Sequence, residues 1–251
     1  MKKSLLTLAA VSALSVSAQA EQFWADNSVS VLYGSDYEFN KDASDDGVAT
    51  TTMTFEHVSG HSWGGLFFFM DRHNGGDFSE TYSEFSPTYN LAKMDGFVSG
   101  VNAAFTYEST SASNGQHLDN FLFGLGADLK VPGLDFANAT VFYADNTEAF
   151  GNSTDYQLTL VGGFSSGNLT IDGFMDLAFG SSVEGDLAYP GGPTKGETSM
   201  NLTPQITYNV GPMLGLKNKM KVGVEYSYWT NQFGLDGNDQ NAVSLLLKAH
   251  L

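Results

Sequence analysis

The stretch 169–179, LTIDGFMDLAF, decides the fold because its apolar and polar side chains alternate. The apolar positions are Leu169, Ile171, Met175, Leu177 and Phe179. The positions between them include Thr170, Asp172, Phe174 and Asp176. Successive side chains of a β-strand point to opposite faces of its sheet. The stretch therefore predicts a strand with one face suited to lipid and the other suited to water.

The same alternation recurs along the chain in segments of about ten residues, the length that a tilted strand needs to cross a membrane. We count twelve such segments, and an even number is usual for single-chain bacterial outer-membrane barrels. The predicted strands cover 27–35, 48–58, 62–71, 80–91, 97–107, 119–130, 134–145, 154–165, 168–180, 197–209, 219–230 and 240–251. The sequence thus predicts an all-β fold with about twelve membrane-spanning strands.

The connections between the segments separate a membrane barrel from a soluble β-sandwich, because outer-membrane barrels have short turns on one side and long loops on the other. The even-numbered connections are mostly short, and 210–218 is the least tight. The odd-numbered ones are predicted to be long and acidic, at 35–47, 72–79, 108–118, 146–153, 181–196 and 231–239. An open sheet edge cannot be left bare in hydrocarbon. We therefore expect a closed antiparallel transmembrane β-barrel in which the last strand pairs with the first.

The first twenty residues predict export from the cytoplasm. Lys2 and Lys3 precede an apolar run from Leu5 to Val16, and Ala18-Gln19-Ala20 is a small-x-small cleavage site. We assign residues 1–20 to a signal peptide and residues 21–251 to one barrel domain in a Gram-negative outer membrane. Removing the two lysines changes the formal charge from −17 to −19, and the chain has no cysteine. Nucleic acid, disulfides and thiolate metal sites are therefore not expected.

The polar face of the predicted strands supplies the candidate site. With the apolar positions against lipid, the lumen is lined by acids, lysines and aromatic rings. The residues that we single out for solute binding are Asp71, Tyr82, Glu84, Asp128, Phe174, Asp176, Lys221, Glu225 and Trp229. Excess carboxylate discourages anions, and aromatic faces stack on flat rings. The alternative is that these side chains only fill and hydrate the lumen, and that rings near strand ends belong to an interfacial girdle.

Three short stretches are similar to one known family. They are 67–72 with 84–87, 123–128, and 225–234 with the terminal His250-Leu251. In their order and spacing they resemble the Tsx-like outer-membrane channels, which include nucleoside-specific channels and the vibrio outer-membrane protein K group. The resemblance implies a twelve-stranded monomeric channel for passive diffusion of nucleosides or similar small solutes. Thr88 departs from it, because we expect arginine there in nucleoside channels, and Leu251 replaces a terminal phenylalanine.

An outer-membrane location implies further partners. We expect contacts with outer-membrane lipid, with lipopolysaccharide and with the barrel-assembly machinery, and exposed loops of such barrels also serve as phage receptors. The acidic stretches 42–47 and 236–239 would either collect divalent cations that bridge to lipopolysaccharide or form a solvated surface. No cofactor is expected.

Two other functions stay open: a narrow or plugged barrel that acts as an adhesin or structural envelope protein, and an outer-membrane enzyme. The residues support an enzyme poorly. Asp172 and Asp176 lie about 13 Å apart on a strand, too far for a glycosidase pair, and no Gly-x-Ser-x-Gly elbow is present. His57 and His61 have the spacing of a zinc helix motif without its glutamate. We predict that the protein is not an enzyme. We also predict that His73 lies in a solvated loop.

Overall fold

The computed structural model describes residues 21–38, 47–148, 151–184, 196–216 and 219–251. These residues form a closed barrel of twelve antiparallel strands, which confirms the fold class predicted from the alternation. The strands are β1 (Gln22–Tyr37), β2 (Val48–His61), β3 (Gly64–Gly75), β4 (Phe78–Lys93), β5 (Val98–Ala112), β6 (His117–Leu129), β7 (Phe136–Glu148), β8 (Gly151–Ser166), β9 (Leu169–Glu184), β10 (Ser199–Asn209), β11 (Met220–Thr230) and β12 (Gln240–His250). Two short 3-10 helices, Gly211–Leu214 and Gln232–Gly234, lie in the connections before β11 and β12.

Each strand pairs with its sequence neighbours, and β1 pairs with β12 to close the wall. Val29 lies opposite Ala249, and Tyr33 lies opposite Leu245. Closure gives every strand two hydrogen-bonded neighbours, as a hydrocarbon environment requires. No helix in the described part of the chain is long and apolar enough to cross a membrane.

The wall has two faces of opposite chemistry. On β1, Ser28 and Ser30 are each 2% exposed, whereas Val31 and Tyr33 are 41% and 56% exposed. These sheltered positions of β1 face the lumen, and we call the lumen-facing side of all strands the inner wall. The outward positions carry large apolar side chains, among them Met53, Phe85, Phe123, Val141, Ile206, Val243 and Leu245. An outward apolar belt of this kind faces lipid, so the strands span the outer membrane.

Several strands are longer than the alternation predicts, and three of the predicted loops are wrong. Residues 76–77 alone separate β3 from β4, residues 113–116 separate β5 from β6, and residues 149–150 separate β7 from β8. The segments 72–79, 108–118 and 146–153 are therefore mostly strand. Their sequences are polar on both faces, because a paired hairpin that extends beyond the lipid needs no apolar side. No apolar period marks them as strands.

The start of β1 and the end of β12 lie at one end of the barrel, together with the connections 62–63, 94–97, 130–135, 167–168 and the described part of the one between β10 and β11. We call this end of the barrel the short-turn end. In single-chain outer-membrane barrels this end faces the periplasm. The signal peptide predicted for residues 1–20, and most of the acidic stretch 42–47, lie outside the described residues.

Candidate functional site

Charged and amide side chains from four strands meet on the inner wall around Lys248. Its Nζ donates to Glu56 Oε1 and Oε2 at 3.4 Å and to Gln205 Oε1 at 3.3 Å. Gln205 Nε2 in turn donates to Glu225 Oε2 at 2.7 Å. The side chain of Lys248 is 8% exposed and that of Glu56 is 28% exposed. One lysine is thus linked directly or through an amide to two carboxylates, and offsets only part of their charge.

Neutral donors hold two other carboxylates on the inner wall. Asp176 on β9 accepts at Oδ1 from Thr159 Oγ1 at 2.5 Å and from Gln157 Nε2 at 3.1 Å. Asp128 on β6 is bonded by one asparagine on each neighbouring strand. These donors are Asn102 Nδ2 and Asn138 Nδ2, both at 3.0 Å. Hydrogen bonds of this kind fix a carboxylate in position without removing its charge.

Acidic groups also gather where β3, β4 and β5 adjoin. Tyr82 Oη donates to Glu84 Oε1 at 2.7 Å, and the ring of Tyr82 lies 5.6 Å from that of Phe69. The strand register places Asp71 opposite Tyr82 and Glu84 opposite Glu108. This part of the inner wall combines two aromatic rings with three carboxylates.

The remaining predicted site residues stand far apart along the barrel. Lys221 donates from Nζ to Thr170 Oγ1 at 3.3 Å near the short-turn end. Trp229, near the opposite end of the same strand, donates from Nε1 to Ser199 Oγ at 2.8 Å and has its ring 5.2 Å from that of Phe233. Trp229 lies eight positions after Lys221, about 26 Å further along the strand.

All nine candidate residues occupy inner-wall positions in the register, but they line the whole height of the lumen rather than one pocket. Phe174 pairs with Thr203 and Val161 on this face.

Two inner-wall residues were missed because their segments were predicted as loops. Glu108 lies on β5, and His73 lies on β3 with its Nδ1 2.8 Å from Thr52 Oγ1 and its side chain 12% exposed. The assignment of His73 to a solvated loop is therefore wrong.

Solved structures with similar folds are outer-membrane barrels. The NanC porin superposes with a TM-score of 0.54 at 13% identity, over 90% of this chain and 100% of that chain. The chain has the fold of an outer-membrane porin. A weaker match is the KdgM porin, with a TM-score of 0.48 at 12% identity, over 88% of this chain and 98% of that chain. Another is Omp33 of Acinetobacter baumannii, with a TM-score of 0.39 at 9% identity, over 92% of this chain and 98% of that chain.

The sequence itself matches no family model, and it matches no curated protein. The likeness to the NanC porin thus rests on the path of the chain. Together with the outward apolar belt, it places this barrel in the outer membrane as a multi-pass protein.

Proposed function

We propose that the barrel is a passive outer-membrane channel for small polar solutes, and that it favours cations and neutral molecules over anions. The observation that carries this proposal is the charge of the inner wall, where carboxylates outnumber lysines among the described strands. Rings of carboxylates select for cations in channels. The inward acids in the register are Asp26, Glu56, Asp71, Glu80, Glu84, Glu108, Asp128, Asp155, Asp172, Asp176 and Glu225, and the inward lysines are Lys93, Lys221 and Lys248.

Among small polar solutes, we propose nucleosides as those that pass through the channel. We also propose that the chain belongs to the Tsx-like channels. A nucleoside offers a flat base that stacks on aromatic faces and ribose hydroxyls that hydrogen-bond to carboxylates. The inner wall offers both partners side by side in Tyr82 and Glu84. Thr88 stands where the resemblance leads us to expect arginine, and it accepts a hydrogen bond at Oγ1 from the backbone N–H of Gly65 at 3.2 Å. The base would therefore be recognised by rings and carboxylates rather than by a guanidinium group.

A specific observation also favours the second candidate, a narrow barrel with a structural role. On one side of the inner wall, Leu122, Phe142 and Ala144 pack with Ala104 in an apolar cluster, and Leu122 is 1% exposed. A second leucine, Leu246, is 3% exposed on the inner wall of β12. Bulky apolar side chains at these positions narrow the path for a solute.

Planar-bilayer recording of the refolded barrel tests both candidates. The channel proposal expects single conductance steps whose reversal potential in a KCl gradient shows cation preference. The nucleoside proposal expects adenosine or thymidine to reduce these steps, and their 5′-monophosphates to reduce them less. Steps that nucleosides leave unchanged would indicate a general channel. A folded barrel that gives no steps would exclude transport and leave the structural role.

A further inference from the structure

A polar cluster lies on the lipid-facing side of the wall at the short-turn end. It consists of Asn27 on β1 and of His57, Ser59 and His61, which are alternate residues of β2 and therefore share one face. Glu56, the residue before His57, points into the lumen, where it contacts the inner-wall lysine. The cluster thus faces away from the channel.

The four side chains form one hydrogen-bonded chain. Asn27 Oδ1 is 2.8 Å from His57 Nδ1, His57 Nε2 is 3.0 Å from Ser59 Oγ, and Ser59 Oγ is 2.9 Å from His61 Nε2. An amide oxygen only accepts, so this pairing requires the proton of His57 on Nδ1 and leaves Nε2 to accept from the hydroxyl of Ser59. A hydroxyl bonded to an imidazole that a third group orients is the arrangement of an activated serine nucleophile.

The surroundings of the cluster are those of a membrane interface. On β3, Leu66 and Phe68 lie opposite the serine and the first histidine. In the adjoining turn, the ring of Trp63 stacks on that of His61 at 5.0 Å with an interplanar angle of 13°. Aromatic residues mark the boundary between membrane and water, and polar or ionisable side chains on a lipid-facing wall are costly and typical of function. The short-turn end places the cluster at the inner leaflet.

We propose that Ser59, His57 and Asn27 form an ester-hydrolase site for acyl-ester lipids of that leaflet. Ser59 Oγ adds to the ester carbonyl carbon while His57 Nε2 takes the hydroxyl proton. The carbon–oxygen bond to the alcohol then breaks, and the alcohol oxygen takes the proton from His57. Water gives a proton to His57 and adds to the acyl-serine, whose bond to Oγ breaks to release the carboxylic acid. The proton returns from His57 to Ser59, and Asn27 acts as a positioning residue that orients the imidazole.

The nucleophile is covered in this structure. Ser59 is 2% exposed, and the hydrogen bond with His61 Nε2 caps its hydroxyl. Since His61 is the last residue of β2 and stacks on a residue of the turn, its ring can rotate without moving the strand. Access of lipid to Ser59 therefore depends on the side chain of His61.

A serine-directed fluorophosphonate probe, applied to the full-length barrel in phospholipid vesicles, tests the site. Mass spectrometry is expected to find the adduct on Ser59, and the vesicles are expected to release fatty acid. Ser59→Ala should abolish both, and His57→Ala should slow both by about 100-fold or more, the usual contribution of a general base. His61→Ala should speed labelling because it uncovers the hydroxyl. Ser62→Ala, in the adjoining turn, is the matched control and should change neither rate.

Two variants of Asn27 separate positioning from packing. Asn27→Ala should slow labelling, and Asn27→Asp should restore it because a carboxylate also accepts from His57 Nδ1. Resistance to detergent denaturation at room temperature shows that each variant is folded. A folded barrel that gives neither the Ser59 adduct nor fatty acid overturns the proposal, and so does labelling that His57→Ala leaves unchanged. The test does not depend on conductance, because the site uses the opposite face of the wall.

Discussion

Lys248 Nζ on β12 lies 3.4 Å from Glu56 Oε1 on β2, so the pair bridges the inner face of β1, the strand that closes the barrel with β12. The two residues are 192 positions apart in the chain. Both partners lie on the inner wall, where the lysine also reaches an amide that bonds to Glu225. The pair therefore affects both the closure of the barrel and the electric field in its lumen.

Removing this lysine should raise the preference for cations. Lys248→Met leaves Glu56 and its neighbours without a positive charge, and Glu56→Gln has the opposite effect. A unit charge a few ångströms from a solvated path is worth about 1 kcal/mol or less, so the cation-to-anion permeability ratio should change by up to about fivefold. Reversal potentials in a KCl gradient measure the ratio. Lys219→Met, exposed in a turn, is the matched control. Equal shifts of the reversal potential in the Lys248 and Lys219 variants would contradict a local effect of the Lys248–Glu56 pair.

Removing the ring of Trp229 should weaken block of the channel by nucleosides. The indole is fixed by its hydrogen bond to Ser199 and lies 5.2 Å from the ring of Phe233. Stacking of a base on an aromatic side chain is worth about 1–3 kcal/mol, so Trp229→Ala should raise the half-blocking concentration about tenfold, and Trp229→Phe much less. Tyr228→Ala is the control, because Tyr228 faces outward and stacks on Tyr226. Unchanged block in Trp229→Ala would remove this residue from the solute path.

The sequence could predict the faces of the barrel but not the ends of its strands. Within the lipid, the outward face must be apolar. The alternation therefore predicts that Ile171 faces lipid and that its polar neighbours Thr170 and Asp172 face the lumen. Above the lipid that requirement ends, while the hydrogen-bonded ladder continues through residues such as Glu108. A ladder in water is compatible with polar side chains on both faces. It leaves no periodic signal.

Contacts between distant strands could not be predicted, because they depend on the register of each pair around the closed wall. The proximity of Lys248 and Glu56 is one example. The polar cluster on β2 is a partial exception, since the alternation of His57, Ser59 and His61 is visible in the sequence. Its orienting group, Asn27, is supplied only by the pairing of β1 with β2.

Replacing Gln232 by leucine should not destabilise the barrel. Gln232 is 0% exposed, and both polar atoms of its side chain lack a hydrogen-bond partner among the described residues. A buried amide without partners costs about 1–3 kcal/mol of desolvation, so Gln232→Leu should leave the free energy of unfolding equal or about 1 kcal/mol higher. Gln232→Glu should lower it, because a buried charge is costlier than a buried amide. Urea titration in detergent micelles measures both. Strong destabilisation by leucine would instead indicate that the amide has a bound partner.

Adding one methyl group at Gly223 should separate two strands of the wall. A Cβ there would overlap Ile206 O and lie 2.8 Å from Thr207 Cα, both backbone atoms of β10. These atoms cannot move away unless β10 moves away from β11, so Gly223→Ala should cost about 1–3 kcal/mol, as other overpacked substitutions do, or prevent folding. Gly65→Ala is the matched control, because the nearest atom to its Cβ is Thr88 Oγ1 at 3.1 Å, on a side chain that can rotate. Tryptophan fluorescence during urea titration measures the two free energies of unfolding. Equal stability of the two variants would mean that β10 and β11 are not packed as closely at Gly223 as the register requires.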